Sequence, residues 1–572
     1  MKSARSFLVA GALVLAACTG SDRGEPPPQT REIVDEASAV EDTDDVFTPS
    51  DASGESSGDA PSATSDADDS RSDDADTATV DADSVDPVEP AGPDSEESSG
   101  DDSASGSSAT PEQLDYSIVF DDLGGGVDGG WLTVPVDYDD PQGDTLKLWV
   151  TRHRASSEDD RIGVLFTNNG GPGMPASSMP LNARAYFHDP LVDAFDIVAW
   201  DPRGTGVSGG SADCIGDDEY DRYFAEADLS PETDAERDAL VELAQDYADS
   251  CVDAVGDLLP HIGTNNTARD MDAIRQALGE EQVSYLGFSY GSELGAVWAT
   301  LFPHTVRAAV LDGAAHPDAE SLEPAKRQQA GFERSFNTFL EECSATPSCA
   351  FHNDGDAEGA YDRLLEELDE NPVPGADDRP LVNQSVLTGA VIQAMYSDRR
   401  WPALERSLAD AQNGDGAGLL ALFDGYYRRD PQDGSYGNLI ESLYAITCAD
   451  EPDRLTVEEA DRRAAELIGN APRVFPETTG SYTCDFFPPS ADPRAEITGE
   501  GAGPILVIGT TGDPTTPIDS SVAMADALEE GVFVEVEANQ HLAYGQTDDC
   551  IDDIVHEYLI WLEPPPAGTV CS

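Results

Sequence analysis

Between Val283 and Leu301 a short apolar run, VSYL, passes through Gly-Phe-Ser-Tyr-Gly straight into a segment with Leu294, Val297, Trp298 and Leu301 at helical spacing. A chain that turns from a buried strand into a helix over so few residues needs a layered fold, with helices packed on a sheet. It also fixes where Ser289 sits. A serine on such a turn projects its oxygen beyond the carboxyl end of the strand, and the flanking glycines let neighbouring backbone come close. The start of the helix favours negative charge there.

The spacing Gly-x-Ser-x-Gly alone is weak, because GESSG (54–58) and GVSGG (206–210) match it too. Ser56 lies in a stretch with hardly an aromatic or branched apolar residue. Ser208 lies in DPRGTGVSGGSADC, a glycine-rich loop leading into polar sequence. Neither has a strand before it and a helix after it. GTGVSG in that loop also fits a dinucleotide-binding fingerprint, which requires a helix to open at its third glycine. GSADCIGDD follows instead, so the loop reads as a structural turn.

Other apolar runs extend the pattern. YSIVF (116–120), GWLTVPVDY (130–138) and TLKLWVTRHRA (145–155) read as strands, followed by GVLF and FDIVAW, each ended by glycine or proline. ARDMDAIRQALG has helical periodicity, and ILVIG and VFVEVEA return to strand character before the closing helix CIDDIVHEYLIWL. Continuous short apolar runs suit strands buried on both faces of a mostly parallel sheet. From Asp318 to Asp485 the patterns are helical almost throughout, which predicts a helical insertion, or cap, in an α/β core formed by residues 113–317 and 486–572.

A hydroxyl attacks only when a base removes its proton and a third group orients that base. In folds with this strand-to-helix turn the three follow in the order serine, acid, histidine. Beyond Asp485 only His541 and His556 remain. His541 directly follows VFVEVEA, whereas His556 falls inside the closing helix. Asp513 ends the preceding strand in ILVIGTTGDPTTP, and Asp519 falls in the next helix. Ser289, Asp513 and His541 are therefore the expected catalytic set. Two N–H donors must face the developing oxyanion. Tyr290, after the nucleophile, supplies one, and the loop TNNGGPG supplies the other through Gly171, since Pro172 has no N–H.

The first 17 residues, two cations and an apolar run, read as a signal segment too short to span a bilayer. LAAC, ending at Cys18, resembles the lipobox of bacterial lipoproteins, which implies a lipidated Cys18 and an anchor on the outer face of the cell membrane. Residues 19–112 hold 28 acids and 3 arginines and few apolar residues, the composition of a disordered tether. The remaining 460 residues still carry 86 acids against 26 bases. So acidic a domain repels nucleic acid and anionic surfaces, and membrane contact is expected through the lipid alone. Besides Cys18 there are eight cysteines, an even number that suits disulfides in an exported chain but leaves 105 connectivities open. No spacing suggests a metal site or a cofactor.

NNGGPG, FDIVAWDPRGTGVS, NTARDMDAIRQALGEEQVSYLGFSYGSELG, FPHTVRAAVLDGAAHP, GDPTTP and the terminal His541 together resemble the secreted tripeptidyl aminopeptidases of actinobacteria. These are α/β-hydrolase serine peptidases related to proline iminopeptidase, and the similarity runs from about Trp131 to Ser572. The resemblance implies the α/β-hydrolase fold, the same triad and oxyanion loop, and peptide substrates with free N-termini. It also implies disulfides joining Cys214 to Cys251, Cys343 to Cys349, Cys448 to Cys484, and Cys550 to Cys571. The family usually has proline where Asn169 stands, glycine where Gln540 stands and often an aromatic where Glu293 stands. Glu293 could neutralise a substrate ammonium or face solvent. Small or lipid esters are the alternative substrates, and a surface lipoprotein that binds without catalysis is the remaining alternative.

Overall fold

The computed structural model describes residues 116–318, 322–476 and 482–572. The signal segment, Cys18, Ser56 and the acidic tether lie outside the described residues. The strands are β1 (Val119–Gly124), β2 (Val127–Pro135), β3 (Thr145–His153), β4 (Gly163–Asn168) and β5 (Phe195–Trp200). They continue with β6 (Val283–Phe288), β7 (Val306–Asp312), β8 (Ile505–Thr510), β9 (Gly531–Val536) and β10 (Thr569–Cys571). They form one ten-stranded sheet in the order β1-β2-β3-β5-β4-β6-β7-β8-β9-β10. The first three strands run antiparallel to their neighbours and all later pairings are parallel.

Every residue of β4, β5, β6 and β8 is buried. Successive side chains enter opposite cores, as the two-residue period of a strand requires. Phe166, Tyr285, Leu311 and Val507 pack with the helices Thr264–Leu278 and Tyr290–Leu301 on one face. Leu165, Leu286, Val310 and Leu506 pack with the closing helix Asp549–Trp561 on the other. That double burial explains why these strands read as unbroken apolar runs.

The amino-terminal hairpin differs from the expected one. β1 and β2 lie some residues away from the expected 116–120 and 130–138, with a bulge between Asp122 and Gly124. Gly124, Gly125 and Gly126 all have positive φ (90°, 62° and 88°) and make the reversal between them.

Two insertions build a helical layer. The longer lies between β7 and β8 and contains, among others, Glu323–Ala345, Ala357–Glu370, Gln384–Met395 and Leu439–Asp450. The other lies between β5 and β6, where the unexpected 22-residue helix Asp234–Val255 starts in a capping box of Thr233 and Glu236. It packs on the longer insertion through Arg237 to Asp461, and its neighbouring segment does so through Arg379 to Asp221. All four cysteine pairings that the resemblance implies are present as disulfides.

Candidate active site

Strand register brings the functional loops to one edge. Asn168 of β4 pairs with Gly287 of β6, Phe288 with Asp312 of β7, Asp312 with Ile508 of β8, and Thr510 with Val536 of β9. The loops leaving the carboxyl ends of these strands therefore lie side by side. They contain Gly170 and Gly171, Ser289, Gly313, Asp513 and His541.

Ser289 has φ 56° and ψ −124°, a left-handed conformation that costs a non-glycine residue free energy and is held by its surroundings. Its N–H donates to the Asp312 carbonyl at 2.9 Å, and its own carbonyl accepts from the Ser292 N–H at 2.8 Å. The Oγ is buried and has no hydrogen-bond partner among the described residues. His541 Nδ1 lies 2.9 Å and 3.0 Å from the two Asp513 oxygens. Asp513 is buried and also accepts from the N–H groups of Thr515 (2.8 Å) and Thr516 (2.9 Å) and from the Thr516 hydroxyl (2.8 Å). With the acid so fixed, Nδ1 carries the hydrogen and Nε2 is the free acceptor. That Nε2 is buried and, like Ser289 Oγ, unpartnered among the described residues. The two atoms are not hydrogen-bonded to each other here. Gly313, next to the residue that holds the Ser289 N–H, packs against His541: a Cβ there would come within 3.3 Å of His541 Cε1.

The loop after β4 lies against the nucleophile turn. A Cβ at Gly170 would come within 2.7 Å of the Phe288 carbonyl, 3.0 Å of Ser289 Cβ and 3.4 Å of the Tyr290 nitrogen. The Gly170 N–H is taken by the Asn168 side chain at 2.9 Å. The next N–H along the chain, that of Gly171, has no partner among the described residues. Tyr290 opens its helix, where N–H groups lack intrahelical acceptors. Its hydroxyl is 2.6 Å from Thr264 Oγ1, which donates to Asp450.

The residues set aside in the sequence are occupied elsewhere. Ser208 Oγ donates to the Asp201 carbonyl at 2.6 Å and accepts from the Trp149 N–H at 2.9 Å, and no helix opens at the glycines that follow it. Asp519 sits on the helix Ile518–Ala527, 3.5 Å from Arg327, and His556 contacts the Tyr544 hydroxyl. Glu293 is half-buried and pairs with the buried Arg494 guanidinium at 3.1 Å. Gln540 is buried and folds onto its own loop, its amide donating to the Leu542 carbonyl. Asn169 donates to the Pro175 carbonyl.

Sequence reasoning missed Thr516, which touches both Asp513 and His541, although GDPTTP contains it. It also missed how the helical layer is seated. Gly173 packs on Leu439 and Leu443, the Tyr396 ring meets His541 edge-on at 5.7 Å, and Gln328 donates to the Thr515 carbonyl. These three loops, of Gly173, Thr515 and His541, thus touch the layer above them.

The fold and this edge define an α/β-hydrolase of the serine hydrolase class. Two family models match, one described as alpha/beta hydrolase fold over residues 163–372 and one as TAP-like protein over 473–571. The chain is 36% identical to Serine protease Hip1 of Mycobacterium tuberculosis over 468 residues, 78% of this chain and 88% of that one. It is 37% identical to Carboxylesterase B of the same species, over 77% and 85%. It is 29% identical to a tripeptidyl aminopeptidase of Streptomyces coelicolor, over 75% and 80%. The chain belongs to the tripeptidyl-aminopeptidase-like family of α/β-hydrolases.

Proposed function

We propose that this chain is an exported serine aminopeptidase that releases short peptides, of tripeptidyl type, from free N-termini. The observation that supports it most is the buried, fully oriented Asp513–His541 pair beside a strained serine whose Oγ is unpartnered. His541 Nε2 takes the proton of Ser289 as Oγ bonds to the scissile carbonyl carbon. The carbonyl electron pair moves onto oxygen, toward the N–H groups of Gly171 and Tyr290. Collapse of that intermediate expels the amine, which takes the proton from His541 and leaves an acyl ester on Ser289. Water, deprotonated by the same imidazole, then frees the acid.

Peptide substrates are favoured because one relative is named a serine protease and another a tripeptidyl aminopeptidase. The helical layer resting on all three loops would exclude large folded proteins. Small or lipid esters are the second reading, favoured by the relative named Carboxylesterase B. Residues 1–18 support export and lipidation at Cys18. No helix of the described residues is long and apolar enough to cross a membrane.

A panel of N-terminally free tripeptide amides, their N-acetylated forms and chromogenic esters tests this. Cleavage of free tripeptide amides, blocked by acetylation, is expected. Ester turnover without amide turnover, or indifference to acetylation, would remove the aminopeptidase reading. Ser289→Ala is expected to lose at least about 10³-fold in turnover and all labelling by a fluorophosphonate.

A further inference from the structure

A second carboxylate lies at this edge with no role in the steps above. Asp312 ends β7, has no solvent exposure, and belongs to neither the acid–imidazole pair nor any ion pair among the described residues. Its carboxylate accepts from the N–H of Ala543 (3.1 Å and 3.2 Å to its two oxygens) and of Tyr544 (2.8 Å). Those residues begin two positions after His541. Its main-chain oxygen accepts the Ser289 N–H at 2.9 Å. One residue thus grips both the nucleophile turn and the loop behind the base, although those two side chains are not bonded to each other. Gly313 transmits the grip: its N–H is tied to the Ile508 carbonyl at 3.1 Å, and a Cβ would meet the His541 carbonyl at 3.0 Å.

We propose that Asp312 is a positioning residue for the reaction, its main chain holding the turn of Ser289 while its carboxylate holds the loop of His541 and adds negative charge beside the imidazole. This rests on the reading of Ser289 as nucleophile and His541 as base. The charge itself is informative. Two N–H groups could be satisfied by a neutral acceptor, and burying a carboxylate is costly. Burial pushes this carboxyl up to about 6, while the Tyr544 and Ala543 N–H groups and the imidazole of His541 pull it down and the carboxylate of Asp513 pushes it up. His541 and Asp513 are the titratable groups that face it. Above that value it is ionised and stabilises the imidazolium formed as the proton leaves Ser289.

The test is the rate at which a fluorophosphonate labels the full-length protein across pH, for wild type, Asp312→Asn and Asp312→Ser. Both variants keep an acceptor and lose the charge. The plateau rate should fall about tenfold or more, since small displacements of a base are costly. The acid limb should move to lower pH by roughly 0.5 unit or more, because an imidazolium robbed of a neighbouring negative charge loses its proton more easily. Asp312→Ser supplies the same readout if Asp312→Asn does not fold. A wild-type rate, or a lower plateau with an unmoved limb, overturns the proposal. Labelling that survives Ser289→Ala overturns the nucleophile assignment instead.

Discussion

The carboxyl edge of the sheet and the helical layer above it are held together by different means. At the edge, apart from the Asp513–His541 pair and the Thr516 hydroxyl, the bonds run to main chain: Asp513 to the Thr515 and Thr516 N–H groups, Asp312 to Ala543 and Tyr544, Ser289 N–H to a carbonyl. In the layer the ties join side chains distant in sequence. Arg379 clamps Asp221 and Asp424 with bonds of 2.8–2.9 Å, and Arg473 bridges Asp362 and Asn337. The disulfides Cys214–Cys251, Cys343–Cys349 and Cys448–Cys484 also lie there. Placement through main chain follows from strand register and is indifferent to most side chains. Placement through side-chain pairs can be rewritten one substitution at a time. Chemistry is therefore expected to persist among relatives while the layer, and with it substrate choice, varies.

The largest effect expected from that contrast is at Gly170. Its φ is +97°, and a Cβ would press on the Phe288 carbonyl and on Ser289 itself. Gly170→Ala should cost about 10²–10³ in turnover by displacing the loop that offers the Gly171 N–H. Its melting temperature should fall as well, by about a few degrees, because alanine is strained at this φ. Near-normal turnover in a folded Gly170→Ala protein would mean that the loop position is not set by this contact.

How much was legible follows the same division. Strands buried on both faces appear as continuous apolar runs, so β4, β5, β6 and β8 could be read directly, as could the half-buried β9 from VFVEVEA, whereas β7 is missing from the strands expected from the sequence. β10, only three residues with Val570 half-exposed, has too little apolar length to register. The helix Asp234–Val255 buries only Ala244, Tyr247, Ala248 and Cys251, so acids mask its period. Thr516 and Asp312 have identities that any surface turn would accept, and only their neighbours give them meaning. The Glu293–Arg494 pair joins residues from opposite sides of the longer insertion, a contact no local pattern encodes.

The layer should respond in the opposite sense to the edge. Arg379 is largely buried between two carboxylates, so Arg379→Ala leaves Asp221 without its cation and Asp424 with only Arg429, at 4.0 Å. Breaking such a partly buried pair should cost about 2 kcal/mol in unfolding free energy. Turnover of a small chromogenic ester should stay within about threefold of wild type, because among the described residues the hydrogen bonds and ion pairs of this clamp involve no residue of the edge. A large loss of turnover at unchanged stability would show that the clamp shapes the site and not merely the layer.

The smallest effect expected concerns pH and Glu441, on the helix Leu439–Asp450. Burial pushes its carboxyl up to about 8, with Asp213 and Asp217 pushing the same way and the Ile215 and Cys214 N–H groups opposing. The folded state then binds this proton more tightly than the unfolded chain, whose carboxyl sits near 4.3. Its stabilising contribution is complete below the unfolded value and is lost as pH rises through about 8. Asp450, pushed up to about 7, acts in the same direction. The melting temperature should therefore fall by about 5 °C between pH 5 and pH 9. Both backbone bonds to Glu441 end on Oε1, so a glutamine oxygen can accept them unchanged. Glu441→Gln should flatten that slope and match or exceed wild-type stability at pH 9, with ester turnover intact. Parallel melting curves for the two proteins would mean that the layer's sensitivity to pH arises at other acids and that Glu441 is already well compensated.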